Sequence, residues 1–184
     1  MIRGNRITLR AVTRDLYHQF YRWRQDPEVM FWGTGEPNMT TIIPEDRFMA
    51  NYEDIIRDPL RQGLFGIFID EDTPIGMVDY RDLDPINRTA IVGITIGVKD
   101  RWGQGYGTDA LATLCRLLFE RFGLRRIQAD TWDGNHRSLA MMQKIGFQIE
   151  GRLRHAECVR GVPTDSIVLG LLSDELVYPS LLTD

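Results

Sequence analysis

The spacing of apolar and polar positions divides the chain into short segments of two periods. From Arg6 to Ala11, Ile7, Leu9 and Ala11 alternate with Arg6, Thr8 and Arg10, which is the two-residue period of a half-buried strand. The period then lengthens. After Thr13, a residue type that caps helix starts, Leu16, Phe20 and Trp23 share one helical face. Pro27 is expected to stop this helix, because the residue before a proline avoids the helical region. Asp26 to Thr41, DPEVMFWGTGEPNMTT, follows neither period and reads as an irregular loop. Pro44, followed by Glu45 and Asp46, opens a second helix whose apolar face holds Phe48, Tyr52 and Ile55 or Ile56, and Pro59 closes it.

Three strand-like runs follow, Leu64 to Asp70, Pro74 to Leu83 and Thr89 to Val98. The turns between them are short, Glu71-Asp72-Thr73 and Asp84-Pro85-Ile86-Asn87, so the runs are expected to form an antiparallel meander. The third run breaks into a glycine-rich turn that opens directly into a helix. There Leu111, Leu114, Cys115, Leu118 and Phe122 lie on one face. Arg126 to Thr131 reads as a further strand, joined to the third run by a right-handed parallel crossover. Asn135 to Ile145 is a short helix ended by Gly146. Phe147 to Val159 and Thr164 to Leu172 form a closing hairpin around Arg160-Gly161-Val162-Pro163. The pattern contains no repeat and no linker. It predicts a single α+β domain over residues 1–174, with residues 175–184 as a loose tail.

Composition narrows the function. The 184 residues are 43% hydrophobic and 26% charged, with a formal net charge of −4, so no basic excess exists to neutralise nucleic-acid phosphates. The N-terminal MIRGNRITLR is too polar for a signal sequence, and no apolar run approaches the ~20 residues of a membrane span. A cytoplasmic protein without nucleic-acid or membrane partners is expected. Cys115 lies on an apolar helix face. Neither it nor Cys158 has metal-ligand spacing, and the three histidines are scattered, so no metal site is expected.

The chemistry concentrates in Ile91 to Phe122. A strand, a loop with alternating Gly103, Gly105 and Gly107, and a helix N-terminus combine into an anion site, because the first helical N–H groups lack intrahelical partners. A nucleoside-triphosphate loop would need a lysine after its last glycine, and Thr108 stands there instead. A dinucleotide fingerprint would need a third glycine at that same position and an alternating strand–helix order, but three successive strands precede this loop.

Trp102 to Thr108, WGQGYGT, resembles the acetyl-CoA pyrophosphate loop of the GNAT superfamily of N-acetyltransferases, with Trp102 where Gln or Arg is common. Asn135-His136-Arg137-Ser138 followed by Lys144-Ile145-Gly146-Phe147 resembles the second cofactor motif of its ribosomal-protein N-terminal acetyltransferase branch. Glu150 to Glu157 with Arg160-Gly161 resembles that branch's closing hairpin. The resemblance implies a mixed, mostly antiparallel central sheet with splayed middle strands, flanked by helices, and a possible homodimer. It implies transfer of an acetyl group from acetyl-CoA to a primary amine by direct attack. The acceptor is a protein or peptide N-terminus, with a polyamine or amino-sugar as the alternative and a non-catalytic acyl-CoA sensor as the alternative from another class.

The cofactor contacts implied are Ile96, Gly97 and Val98 on the strand, Gly103, Gln104, Gly105, Tyr106, Gly107 and Thr108 in the loop, and Asn135 and Arg137 beyond it. One backbone N–H among residues 96–98 is expected to polarise the thioester carbonyl. Asn135 also suits a helix cap, and Arg137 suits a solvated surface as well as a phosphate. The tyrosine that serves many members as acid is replaced by Met142. The branch instead implies Ser138 as acid and Glu157 as base, positions that a first helical turn and an exposed strand carboxylate would also explain. Met30, Phe31 and Trp32 are either hydrophobic anchors of their loop or contacts to the acceptor.

Overall fold

Every strand the alternation predicts takes its place in one eight-stranded sheet. The computed structural model describes residues 1–36 and 43–178. The strands are β1 (Ile2–Arg3), β2 (Thr8–Ala11), β3 (Gly63–Phe68), β4 (Pro74–Asp84), β5 (Thr89–Ile96), β6 (Arg126–Trp132), β7 (Gln148–Val159) and β8 (Val162–Leu172). The helices are α1 (Arg14–Arg24), α2 (Pro27–Thr34), α3 (Glu45–Arg57), α4 (Tyr106–Phe122) and α5 (His136–Lys144). The strand order is β1-β2-β3-β4-β5-β6-β8-β7, antiparallel except for the β5–β6 pair. That parallel pair is the crossover expected around α4.

The sheet carries a hydrophobic layer on each face. On one, α4 packs Leu111, Leu114, Cys115 and Leu118 against Val78, Tyr80, Ala90, Ile127 and Leu169. On the other, Leu16, Tyr17 and Trp23 of α1 and Phe48 and Met49 of α3 enclose Met77. Because side chains alternate along a strand, Met77 and Asp79 of β4 share this second face.

Two expectations are corrected. Residues 27–34 are helical, and Pro27 opens α2 rather than ending α1. Asp26 caps it by accepting hydrogen bonds from the N–H groups of Glu28 (2.9 Å) and Val29 (3.4 Å), and Gly35 closes it in the left-handed conformation. Proline is well suited to a first helical position, where its missing N–H has no partner to lose. Residues 37–41 of the expected loop lie outside the described residues. The tail is also not loose as far as Tyr178. The Glu175 carboxylate accepts from Gln148 and from the Leu172 N–H, the Val177 N–H donates to the Ile145 carbonyl, and the Tyr178 hydroxyl lies 3.0 Å from Thr113 Oγ1.

The central sheet is splayed. β4 stays paired with β5 as far as Ile96, but β5 pairs with β6 only from Thr89 to Ile91, ending at Ile91 opposite Gln128. Beyond Ile91 the two middle strands part and leave a slot. The start of α4 at the end of β5 is anchored from the N-terminus. Asp109, in the first turn and buried, accepts from the backbone N–H groups of Asn5 (3.0 Å), Arg6 (2.6 Å) and Ile7 (3.2 Å). Its charge also suits the positive end of the helix. Replacing Asp109 by Ala leaves three donors without their carboxylate. We expect a loss of about 2–4 kcal/mol, read as a fall in melting temperature of roughly 5–15 °C. A melting temperature within about 2 °C of wild type would contradict this role.

Candidate functional site

A cleft of about 510 Å³ runs from the glycine loop along the edge of β5 to α5 and α2. Its loop wall is built by backbone geometry. Gly105 caps α4 with φ 84°, a left-handed conformation that costs other residues roughly 1–2 kcal/mol. The N–H groups of Tyr106, Gly107 and Thr108 are thereby turned into the cleft at the start of α4, without intrahelical partners. Trp102, at the position where the family commonly has Gln or Arg, donates its indole N–H to the Ile96 carbonyl at 2.8 Å and ties loop to strand. From the other side, Arg6 donates to the Gln104 carbonyl and lies over the Tyr106 ring at 4.5 Å.

The cleft's charge is opposite to that of the chain. Arg101, Arg137 and Lys144 line it, and no carboxylate among the described residues does. Arg137 sits between two indoles, 4.8 Å from the Trp32 ring centre and 5.2 Å from that of Trp102. Stacking holds its guanidinium plane in place while leaving its N–H donors free for a planar or tetrahedral anion. Three cations and three free helix N–H groups around one elongated cleft suit a ligand with several phosphates.

Along β5 the hydrogen-bonding directions alternate. The N–H groups of Gly97 and Val98 both reach the Ile75 carbonyl, at 2.9 and 3.1 Å. With Gly97 turned towards β4, strand alternation turns the Ile96 and Ile94 peptide groups into the slot that β6 has vacated. Of the three strand residues expected to contact the cofactor, only Ile96 therefore offers an N–H. Ile94, which also lines the cleft, is the donor the sequence did not single out. Gly97 has a packing reason to be glycine, since a Cβ there would meet the Trp23 ring at 2.1 Å.

The structure gathers Ile96, Gly103, Gly105, Tyr106, Gly107, Thr108, Asn135, Arg137, Ser138 and Trp32 around the cleft. Gly97, Val98, Gln104, Met30, Phe31 and Glu157 are not among its lining residues. Asn135 is buried and heavily used. It caps α5 by accepting from the Ser138 N–H (3.3 Å), and its amide donates to Thr131 Oγ1 and to the Trp32 carbonyl, both at 3.0 Å. It thus fixes α2 to α5 across the cleft. Met30 is buried in the packing of α2. Phe31 and Trp32 pack with Trp132 at ring-centre distances of 5.3 and 5.9 Å, and Arg160 lies over Phe31 at 4.2 Å. Glu157 sits on β7 opposite Thr164, and β8 separates it from β6. A wider depression of about 770 Å³ lies on the β7–β8 hairpin. Its Arg152 is paired with Asp133 and Asp165, and the His155 N–H is engaged by Asp165.

Residues 6–148 match the family of the acetyltransferase (GNAT) domain, and the chain belongs to that family. It is 28% identical over 173 residues to the uncharacterized N-acetyltransferase p20 of Bacillus licheniformis, covering 92% of this chain and 94% of that protein. It is 32% identical over 135 residues to YdaF of Bacillus subtilis (strain 168), provisionally named a ribosomal N-acetyltransferase, covering 73% of this chain and 69% of that one. A spermidine N-acetyltransferase from Vibrio cholerae, solved with CoA and spermine, shares the fold with a TM-score of 0.83 at 21% identity, covering 94% and 98% of the two chains.

The chain is an N-acetyltransferase, and acetyl-CoA is the acetyl donor of its family. The cleft fits that molecule. Helix N–H groups and cations face the place for phosphates, and the bare edge of β5 can bond an amide-bearing arm as a missing strand would. In the described residues no helix is long and apolar enough to cross a membrane.

A Gly105→Glu substitution tests the loop. A Cβ at residue 105 meets only Arg6 Nη1, at 3.7 Å, so the cost to the fold is limited to backbone strain. The added carboxylate places a negative charge at the loop position next to the Tyr106, Gly107 and Thr108 N–H groups. We expect acetyl-CoA affinity, measured by calorimetry, to fall at least about 100-fold while the far-ultraviolet spectrum is retained. Unchanged affinity in the folded variant would remove the loop from the site.

Proposed function

We propose that the enzyme acetylates the N-terminal amine of a protein or peptide. The observation that carries this reading is the charge on the acceptor side of the slot. Phe31, Trp32 and Trp132 form an aromatic wall there, and the Arg160 guanidinium lies on the face of Phe31. A polyamine brings several ammonium groups, which the Arg160 guanidinium repels. A peptide brings one amine on an otherwise neutral or acidic chain, and its side chains can pack on the aromatic wall. The name carried by YdaF supports the same acceptor class, and so does the resemblance to the ribosomal-protein branch. The Vibrio cholerae spermidine N-acetyltransferase supports the small-amine alternative, but at 21% identity it speaks for the fold alone.

In this reading the loop N–H groups of Tyr106, Gly107 and Thr108, with Arg101, Arg137 and Lys144, bind the phosphates. The Ile94 and Ile96 N–H groups orient the arm and polarise the thioester carbonyl. The cofactor supplies an activated acetyl group on a good leaving group. Ser138, in the first turn of α5 and facing the cleft, is the proposed proton donor to that leaving group, directly or through water. Direct attack needs no nucleophile from the protein. One acetyltransferase domain, a homodimer and a cytoplasmic setting complete the proposal.

The test is a panel of acceptors assayed by release of free CoA. It comprises peptides with free N-termini, the same peptides N-blocked, spermidine and an amino-sugar. Free peptides are expected to exceed spermidine by at least about 10-fold in kcat/KM, a difference of about 1.4 kcal/mol, and blocked peptides are expected to be inert. A preference for spermidine or the amino-sugar would overturn the peptide reading. No release with any acceptor, despite acetyl-CoA binding, would favour a sensor.

A further inference from the structure

A carboxylate outside the cleft's own lining stands at its inner end. The β5 side of the cleft runs from Ile96 through Thr95 to Ile94. The next residue is Gly93, paired with Asp79 on β4. A Cβ built on Gly93 would lie 2.7 Å from Asp79 Oδ1 and 3.2 Å from Arg81 Nη1. The Asp79 carboxylate thus lies across the bare backbone of Gly93, in the space a side chain of β5 would fill. It does so just past the point where β5 leaves β6, on the sheet face covered by α1 and α3, with Thr95 and Trp132 on the same face. The loop that faces the phosphates belongs to α4, which covers the opposite face. The Asp79 carboxylate therefore lies over β5 on the same sheet face as Trp132, beside the strand edge where Ile94 and Ile96 present their N–H groups.

We propose that Asp79 receives the acceptor ammonium and is the base that deprotonates it. The inference rests on the N-acetyltransferase activity but not on the choice of peptide over small amine. The Asp79 carboxylate takes one proton from the ammonium. The freed nitrogen lone pair forms the C–N bond to the acetyl carbon, the C–S bond breaks, and sulfur leaves with its electron pair. The second proton shed by nitrogen goes to sulfur, and Asp79 returns its own proton to solvent.

The surroundings suit this task. Enclosure by protein raises the Asp79 carboxyl above the ordinary carboxylate range, and this outweighs the opposing pull of Arg81, whose Nη1 lies 3.4 Å from Oδ2. Yet 35% of the side chain is exposed, so the group is held in protein but open to a ligand. Arg81 is shared, because its other nitrogen lies 3.6 Å from Asp130 on β6. The carboxylates nearest on α2, Asp26 and Glu28, are engaged by Lys99. A carboxylate whose pKa lies above the usual value holds a proton more firmly than a surface carboxylate does, which suits a base. Glu157 sits on β7 and does not line the cleft.

The experiment measures kcat/KM against pH for wild type, Asp79→Asn, Gly93→Ala and Glu157→Gln, using whichever acceptor of the panel wild type takes best. Acetyl-CoA affinity is measured alongside. Wild type is expected to lose activity as pH falls through the raised Asp79 pKa, because protonation removes the base. Asp79→Asn is expected to lose at least about 100-fold at neutral pH and to lack that acidic limb, with acetyl-CoA affinity within about twofold of wild type. Gly93→Ala, whose methyl must displace the carboxylate, is expected to lose about 10-fold with cofactor affinity retained, which keeps the test decisive if Asp79→Asn folds poorly. Glu157→Gln is expected to keep the limb. Wild-type rate and pH profile in Asp79→Asn, or loss of the limb in Glu157→Gln alone, would overturn the assignment. A wild type that prefers small amines would overturn only the peptide reading.

Discussion

The parting of β5 from β6 is the constraint on which the site depends. A buried strand edge with unpaired N–H groups is costly, and proteins normally pair or cover it. Here the ladder stops at Ile91, although β4 holds β5 straight to Ile96. The uncovered groups of Ile94 and Ile96 are therefore donors held in place by the strand on their other side. They face a slot that a ligand can complete as an additional strand. Where β5 ends, the chain turns at once through the glycine loop into α4, so the strand donors and the helix N–H groups belong to one continuous wall.

That wall is stiffened by residues that have no evident chemistry. Asp109 binds the N-terminal segment to the first turn of α4, Arg6 from that segment supports the loop, and Trp102 bonds the loop back to Ile96. Across the cleft, Asn135 joins α5, β6 and α2 through three hydrogen bonds. Such contacts fix donors before any ligand arrives, which reduces the ordering cost of binding. The same supports leave the two faces of the sheet with different tasks. The helix N–H groups and the cleft's own cations lie on the α4 side, and the Trp132 ring and the Asp79 carboxylate, paired with Arg81, lie on the α1–α3 side.

Much of this was legible in the sequence. The two-residue and 3.6-residue periods mark most of the strands and helices to within a few residues, though not β1 or α2, and the spacing of Gly103, Gly105 and Gly107 before an amphipathic helix marks the site proposed for the phosphates. What escaped did so for physical reasons. The α2 segment, with Val29, Met30, Phe31 and Trp32 in succession, lacks a polar face, so its helical period was invisible even though Asp26-Pro27 and Gly35 are start and stop signals. The direction of each peptide group along β5 depends on its register with β4, and no composition shows that. This is why sequence alone does not separate the N–H of Ile94 from those of Gly97 and Val98. The nearness of Asp79 to Gly93 is likewise a property of strand pairing between residues 14 positions apart. The final turn to Tyr178 looks loose in the sequence because hydrogen bonds of Glu175 and Tyr178 to distant elements leave no periodic trace.

The acceptor side follows from the same geometry. In the proposed arrangement the slot takes the donor from the α4 face and the amine from the other, where Trp132 and Asp79 lie. The central claim is that the bare edge of β5 and the first turn of α4 together hold acetyl-CoA. Amide hydrogen exchange at single-residue resolution, with and without CoA, tests it most directly. The account predicts new protection at the N–H groups of Ile94 and Ile96 and at Tyr106, Gly107 and Thr108. Protection confined to the β7–β8 hairpin, with those five amides unchanged at saturating CoA, would contradict it.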